Sequence, residues 1–229
     1  MNTTDIKKII SSSKFLIAIC IIICALVFLV SAQGFSNQGK YVEVKGLSER
    51  VVKADRAIWS LGFDVKSNDV NELYSTIETN TQAIETFLKE QGFTEEEIST
   101  APVSVYQDTY RDALYRYNAS VQMSVYTNNV DLLRSASEKT LPLIRKGIIF
   151  NNSYINFEFT DLNSIKPAML AEAIDNAKVS AQQFANDAEA SLGDISRANQ
   201  GVFSITEKDP GSPEYKNVRV VSTLRFMLH

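Results

Sequence analysis

The chain has 229 residues, 45% hydrophobic and 22% charged, with 9 Gly and 5 Pro, the composition of a folded globular chain rather than a disordered or fibrous one. Its only histidine is the last residue, His229, and both cysteines, Cys20 and Cys24, lie inside one N-terminal apolar run. The remainder is therefore closed to Ser-His-Asp and Cys-His nucleophiles and to the usual zinc sites, and the formal net charge of −4 argues against a phosphate-neutralising face for nucleic acid.

The apolar run, Phe15 to Val30, comes after Lys7, Lys8 and Lys14. As a helix, residues 15–32 measure about 24 to 27 Å, just under the roughly 30 Å hydrocarbon core of a bilayer. Cations before the run and none directly after predict, by the positive-inside rule, a cytoplasmic segment 1–14 and export of the chain from about Gln33 onward. Val30-Ser31-Ala32 also offers a cleavage site after Ala32, so an uncleaved membrane anchor over 15–32 and a cleaved signal peptide both remain open. They place the domain across the membrane from residues 1–14, either tethered to it or free of it. Cys20 and Cys24 are apolar fillers of this helix. Residues 33–40 form a polar linker, and residues 41–229 one domain. Residues 33–229 carry 20 Lys+Arg against 26 Asp+Glu, and without cysteine their core must hold unaided.

Alternation predicts strands over Tyr41–Lys45 and Arg56–Lys66. From Val70 the period becomes helical through Leu73, Ile77, Ile84, Phe87 and Leu88, with Asn68 or Asp69 as N-cap and Gly92 closing the helix. Thr94-Glu95-Glu96-Glu97 has capping-box spacing and predicts one helical turn. Ser99–Tyr110 and Tyr115–Thr127 read as a long antiparallel hairpin turning at Arg111-Asp112-Ala113. A second helix runs from Asn128 or Asn129 to Gly147, kinked or shortened by Pro142, and Tyr154–Thr160 is a strand. The third helix opens near Asp161 or Asn163 and closes at Gly193, with Leu170, Ala173, Ile174, Ala177, Ala181, Phe184, Ala185, Ala188 and Leu192 on one stripe. Ile195–Ile205 and Val218–Leu228 supply the last strands. The expected class is α+β, an antiparallel sheet with helices on one face, built on a split βαβ core from Arg56 to Thr160 with an extra long Ala-rich helix.

Two features are candidate interfaces. Tyr106, Tyr110, Tyr115, Tyr117 and Tyr126 fall on or near one hairpin, which suits a partner surface or a sugar-binding face or, equally, cross-strand packing inside the sheet. Ala173, Ala177, Ala181 and Ala185, at spacing four, allow close backbone approach, either to the core or to another subunit. No catalytic, cofactor or metal residue is expected. Glu95-Glu96-Glu97 reads as a solvated first turn, Asp108 and Asp112 flank a turn, and the glycines are scattered singly rather than forming a phosphate loop.

The order of segments resembles the SIMPL-domain family. The resemblance rests on Val44-Lys45-Gly46, Ala54-Asp55-Arg56-Ala57, Gly92-Phe93 through Ile98-Ser99-Thr100, Tyr117-Asn118-Ala119-Ser120, Ile155-Asn156-Phe157 and Ser191-Leu192-Gly193-Asp194-Ile195. Ala54 stands where the family often has proline, Arg116 where glycine commonly precedes the tyrosine, and a second family glycine is lost within Leu47–Arg50. The resemblance implies an α+β fold, an envelope location shared with periplasmic immunogenic and oxidative-stress-defence proteins, and homo-oligomers, without established catalytic residues. The expected function is that of an exported, non-enzymatic cell-envelope protein that self-assembles, in envelope or oxidative stress defence. The alternative is a monomeric, membrane-tethered binding module presenting the Tyr-rich hairpin to a glycan, peptide or protein. A third reading is an Asp/Glu enzyme dependent on a metal.

Overall fold

A computed structural model describes residues 39–110 and 113–229. The expected anchor or signal helix at 15–32, the linker up to residue 38, and Arg111 and Asp112 lie outside the described residues. Among the described residues no helix is long and apolar enough to cross a membrane.

The elements in chain order are β1 (Tyr41–Lys53), β2 (Arg56–Ser67), α1 (Val70–Gln91), a 3-10 turn (Glu95–Glu97), β3 (Ile98–Thr100), β4 (Ser104–Gln107), β5 (Tyr117–Thr127), α2 (Val130–Ser137), α3 (Leu141–Arg145), β6 (Phe150–Glu158), α4 (Leu162–Asp187), β7 (Leu192–Gln200), β8 (Ser204–Glu207) and β9 (Tyr215–Leu228). The class is α+β, but with two sheets instead of the expected one. A five-stranded sheet has the order β3-β5-β2-β6 with β4 beside β5, and a four-stranded sheet has the order β1-β9-β7 with β8 beside β9. Strand alternation reports which residues are buried, not which sheet a strand joins. Only Ala54 and Asp55 separate β1 from β2, yet the chain changes sheet there.

The described residues divide into two compact units, one within residues 45–177 and 199–223, the other of residues 39–44, 178–198 and 224–229. In the first, the five-stranded sheet has the split βαβ order. β2 pairs antiparallel with β5 and β6, with Trp59 opposite Val125 on one side and Ile155 on the other. Its inner face carries Ala57, Trp59, Leu61 and Phe63 from β2 and Ala119, Val121, Met123 and Val125 from β5, packed with Leu73, Ile84 and Leu88 of α1 and Leu133 and Ala136 of α2. Trp59 is fully buried, and its indole N–H donates to Ser153 Oγ at 3.1 Å, which removes the cost of burying an unpaired donor.

The helix caps obey the expected chemistry. Asp69 accepts from the amides of Asn71 and Glu72 at 2.7 and 3.2 Å, and Gly92 closes α1 at φ 106°. Thr94 and Glu97 form the reciprocal box. The second predicted helix is two helices: α2 ends at Ser137, and Pro142 lies in the first turn of α3, where its missing N–H costs nothing. The long strand predicted from Ser99 is likewise divided. Pro102 offers no ladder donor, and β3 and β4 lie on either side of it, each paired with β5.

α4 packs its Met169 and Ala173 on Val218 and Val220 of β9. The contact with β1 is closer still: a Cβ built on Gly46 would lie 1.7 Å from the Ala173 carbonyl oxygen and 2.7 Å from the Ala177 amide nitrogen. A helix backbone can lie this near a strand only where glycine meets alanine. Ser48 Oγ donates to Glu172 at 2.9 Å and Asn176 donates to the Leu47 carbonyl at 2.7 Å along the same seam.

In the second unit, Leu228 N–H donates to the Lys40 carbonyl at 2.8 Å, and Ser191 and His229 exchange backbone bonds of 2.9 and 3.0 Å. Arg225 donates to Glu43 at 3.0 and 2.8 Å and stacks 4.3 Å from the Tyr41 ring. α4 ends at Asp187, short of the expected Gly193, because Glu189 adopts the left-handed conformation at φ 53° and Ala190 N–H returns to the Ala185 carbonyl at 2.9 Å. Gly193 belongs to β7, where a Cβ would meet His229 at 2.5 Å. In the first unit the single strand expected over Ile195–Ile205 breaks at Gly201, whose position would bring a Cβ within 2.0 Å of the Val221 carbonyl.

Candidate functional site: an exposed tyrosine arm

The structure places the two candidate interfaces differently. Ala173, Ala177, Ala181 and Ala185 are fully buried within this chain, while Ala188 of the same stripe is exposed. Ile174 and Phe184, placed on the same stripe by the sequence, are exposed. The buried stripe is the narrow row at spacing four, and a helix touching a sheet along so narrow a row leaves its flanks to solvent.

The tyrosines lie on an arm made by β4, the start of β5 and the segment between them. Register pairs Ser104 with Ser120, Val105 with Ala119, Tyr106 with Asn118 and Gln107 with Tyr117. Beyond the last pair Asp108 N–H donates to the Arg116 carbonyl at 2.8 Å, and Asp108 Oδ1 accepts the Tyr110 amide at 3.0 Å. Asn68 holds the base of the arm from outside: its side chain donates to the Leu114 carbonyl at 3.2 Å and accepts from the Arg116 amide at 2.9 Å. Because Asp69 caps α1, Asn68 is free for this second role.

Tyr110 is 84% exposed, Leu114 78% and Tyr106 58%, with Val103, Val105 and Tyr115 also exposed. Tyr117 turns the other way, packing against the core with Arg116 5.5 Å from its ring. Tyr126 is exposed at the far end of β5 under the Arg56 guanidinium, 5.1 Å from its ring. A cavity of about 400 Å³ beside it is lined by Thr94, Glu96, Glu97, Thr127 and Asn128. The structure thus leaves Tyr106, Tyr110 and Tyr115 exposed on this arm, with Tyr117 turned to the core and Tyr126 at the far end of β5. Val103, Val105 and Leu114 are exposed along the same arm, Val105 on the opposite face of β4 from Tyr106. In the sequence Val105 looks like a core residue, since alternation sets it on the buried side opposite Ala119, yet it is exposed.

Two partly buried carboxyls are held below their ordinary values. Partial burial would push the Asp55 carboxyl up, but bonds from the Thr160 amide (2.9 and 3.0 Å), the Thr160 hydroxyl (3.0 Å) and the Asp161 amide (2.8 Å) outweigh it and hold the group below its ordinary value. Glu97 is likewise pushed up by burial and held lower overall by the Thr127 hydroxyl and the amide and hydroxyl of Thr94. A depressed carboxyl is an anchored anion, the opposite of a general acid poised near neutrality. Among the described residues no group of three or more His, Cys, Asp and Glu is placed to hold a metal.

No curated protein matches the chain. Among solved structures, a hydrolase from Listeria innocua is 15% identical over 88% of this chain and 98% of its own, with a TM-score of 0.24. An uncharacterized conserved protein from Listeria innocua is 15% identical over 80% of this chain and 92% of its own, with a TM-score of 0.23. Likeness at that level carries no argument about activity. The family comparison is of another kind, since the model of SIMPL, described as a protein of unknown function (DUF541), matches residues 42–223 and so takes in nearly all the described chain. This protein belongs to the SIMPL family.

Proposed function

We propose that this is an exported, membrane-tethered, non-enzymatic envelope protein that works by self-association through the tyrosine arm, in support of the envelope under stress. The observation that carries the reading is the exposure of Tyr106, Tyr110, Leu114 and Tyr115 on one arm. Rings of this kind are apolar with a hydrogen-bonding tip, the side-chain type enriched where proteins meet. The leader's charge asymmetry supports export.

The full chain in detergent is expected to run as a discrete oligomer by light scattering on a sizing column, and Tyr110→Ser with Tyr115→Ser to run as a monomer with an unchanged thermal midpoint. A monomeric parent would sink self-association.

The binding-module reading shares the same arm. It is favoured by the face of β2 and β5 opposite the core, where Ser60, Ser124 and Gln122 lie in register near Tyr126, a hydroxyl- and amide-rich row suited to a glycan. If the double variant loses a ligand while its mass stays unchanged, this reading replaces the first. For either, excess Mg²⁺, Ca²⁺, Mn²⁺ or Zn²⁺ is expected to leave the thermal midpoint in place, and a rise would reopen metal-dependent chemistry.

A further inference from the structure

A second exposed surface has a chemistry of its own. From Lys139 to Ile149 the chain holds Lys139, Arg145 and Lys146 and no acid, within a protein of net charge −4. The short helix α3 is pinned from inside by Leu143 and, just beyond it, Ile148, each 1% exposed. Ile148 N–H returns to the Leu143 carbonyl at 3.1 Å, and Gly147, at φ 85°, makes the turn between them. With those two side chains committed to the core, their neighbours are forced outward. Leu141 is 63% exposed, Ile144 49% and Ile149 76%, and the three cations are exposed beside them. The preceding acid, Glu138, lies 3.9 Å from Arg134 and so has its own cation.

Aliphatic side chains alone would suit many partners, and cations alone would suit any polyanion. Together they match one surface best, in which an apolar layer begins a few ångströms beneath a sheet of negative charge. We propose that Lys139–Ile149 is a lipid-docking patch that seats the domain on a bilayer containing anionic phospholipid. The aliphatic tips enter the boundary between headgroups and acyl chains, while Lys139, Arg145 and Lys146 stay at the level of the phosphates. The tethered reading supplies only proximity to a membrane; the recognition is the patch's own.

The test uses the full chain carrying Ile149→Trp, reconstituted into vesicles of phosphatidylcholine alone or mixed with phosphatidylglycerol, with brominated acyl chains as quencher. The native Trp59 is fully buried and bonded to Ser153, so it gives a constant background. Quenching of the new tryptophan is expected in the mixed vesicles and much less in phosphatidylcholine. Neutralising Lys139, Arg145 and Lys146 to Gln should weaken docking about fivefold per charge, roughly a hundredfold together. Ile144→Trp is the second reporter should Ile149→Trp misfold. Emission no more quenched than the Trp59 background, or quenching indifferent to the three neutralisations, overturns the patch and leaves the surface to a protein partner. Retention on vesicles after alkaline washing reports the 15–32 segment separately: a retained but unquenched chain defeats the patch alone, and a quenched but extractable one defeats the tether alone.

Discussion

Gly46→Ala is expected to cost about 3 kcal/mol or more, a large share of the roughly 5 to 15 kcal/mol that holds a domain of ordinary stability. The added carbon would lie 1.7 Å from the Ala173 carbonyl oxygen and 2.8 Å from its carbonyl carbon, and both are backbone atoms that no rotamer change can move. α4 would have to lift from β1, opening the seam that Ser48 and Asn176 close and exposing Met169 and Ala173, both fully buried. Gly147→Ala is the control. Gly147 sits at φ 85° with open space where the Cβ would go, so the substitution carries only the left-handed backbone cost of about 1 to 2 kcal/mol. Urea midpoints of the two full-length variants compare the terms directly. If Gly46→Ala unfolds no earlier than Gly147→Ala, the close approach of helix and strand is wrong.

Asp55→Ala should be the second most damaging change, at about 3 kcal/mol, since bonds to a charged acceptor are worth about 1.5 to 3 kcal/mol net and the amides of Thr160 and Asp161 would both lose theirs. Those bonds tie the corner between β1 and β2 to the entry of α4. Asp55→Asn should recover part of the loss, because one amide oxygen can still accept. The direction of the shift sets the pH dependence. The folded carboxyl ionises below its unfolded value of about 3.9, so its contribution is complete above that value and is lost as pH falls through the lower, folded pKa. Wild type should therefore shed more stability than Asp55→Asn on acidification below about pH 4. Parallel acid profiles would mean that Asp55 is no latch.

The reach of the sequence differs from element to element. α1 was readable to its caps because Asp69 and Gly92 act within one turn of the ends they close, and the 3-10 turn because its box is four consecutive residues. The split βαβ core was readable from the order of periods alone. The β3–β4 break and the early end of α4 were not, although Pro102 signals the first: whether a strand resumes beyond a proline depends on the partner it finds, here β5. The end of α4 depends on a left-handed Glu189, a conformation few side chains advertise. At the candidate site the sequence picked out five tyrosines but could not sort them, since Tyr117 and Tyr126 occupy the same strand and only the sheet's covered side makes one a core residue.

What the sequence determined by itself was local and compositional. The absence of thiol and of imidazole other than His229 from residues 33–229, the α+β class, the cap residues and the family pattern all come from residue types and spacings of a few positions. The tertiary structure decided what depends on distant partners: that β1 and β2 join different sheets, that Ala173 and Ala177 lie against Gly46 rather than solvent, and that Tyr106, Tyr110 and Leu114 are exposed while Leu143 and Ile148 turn inward to force Leu141, Ile144 and Ile149 out. The reason is the same in each case. Burial is a property of a side chain together with whatever the rest of the chain brings against it, and periodicity reports that a face exists without saying what covers it.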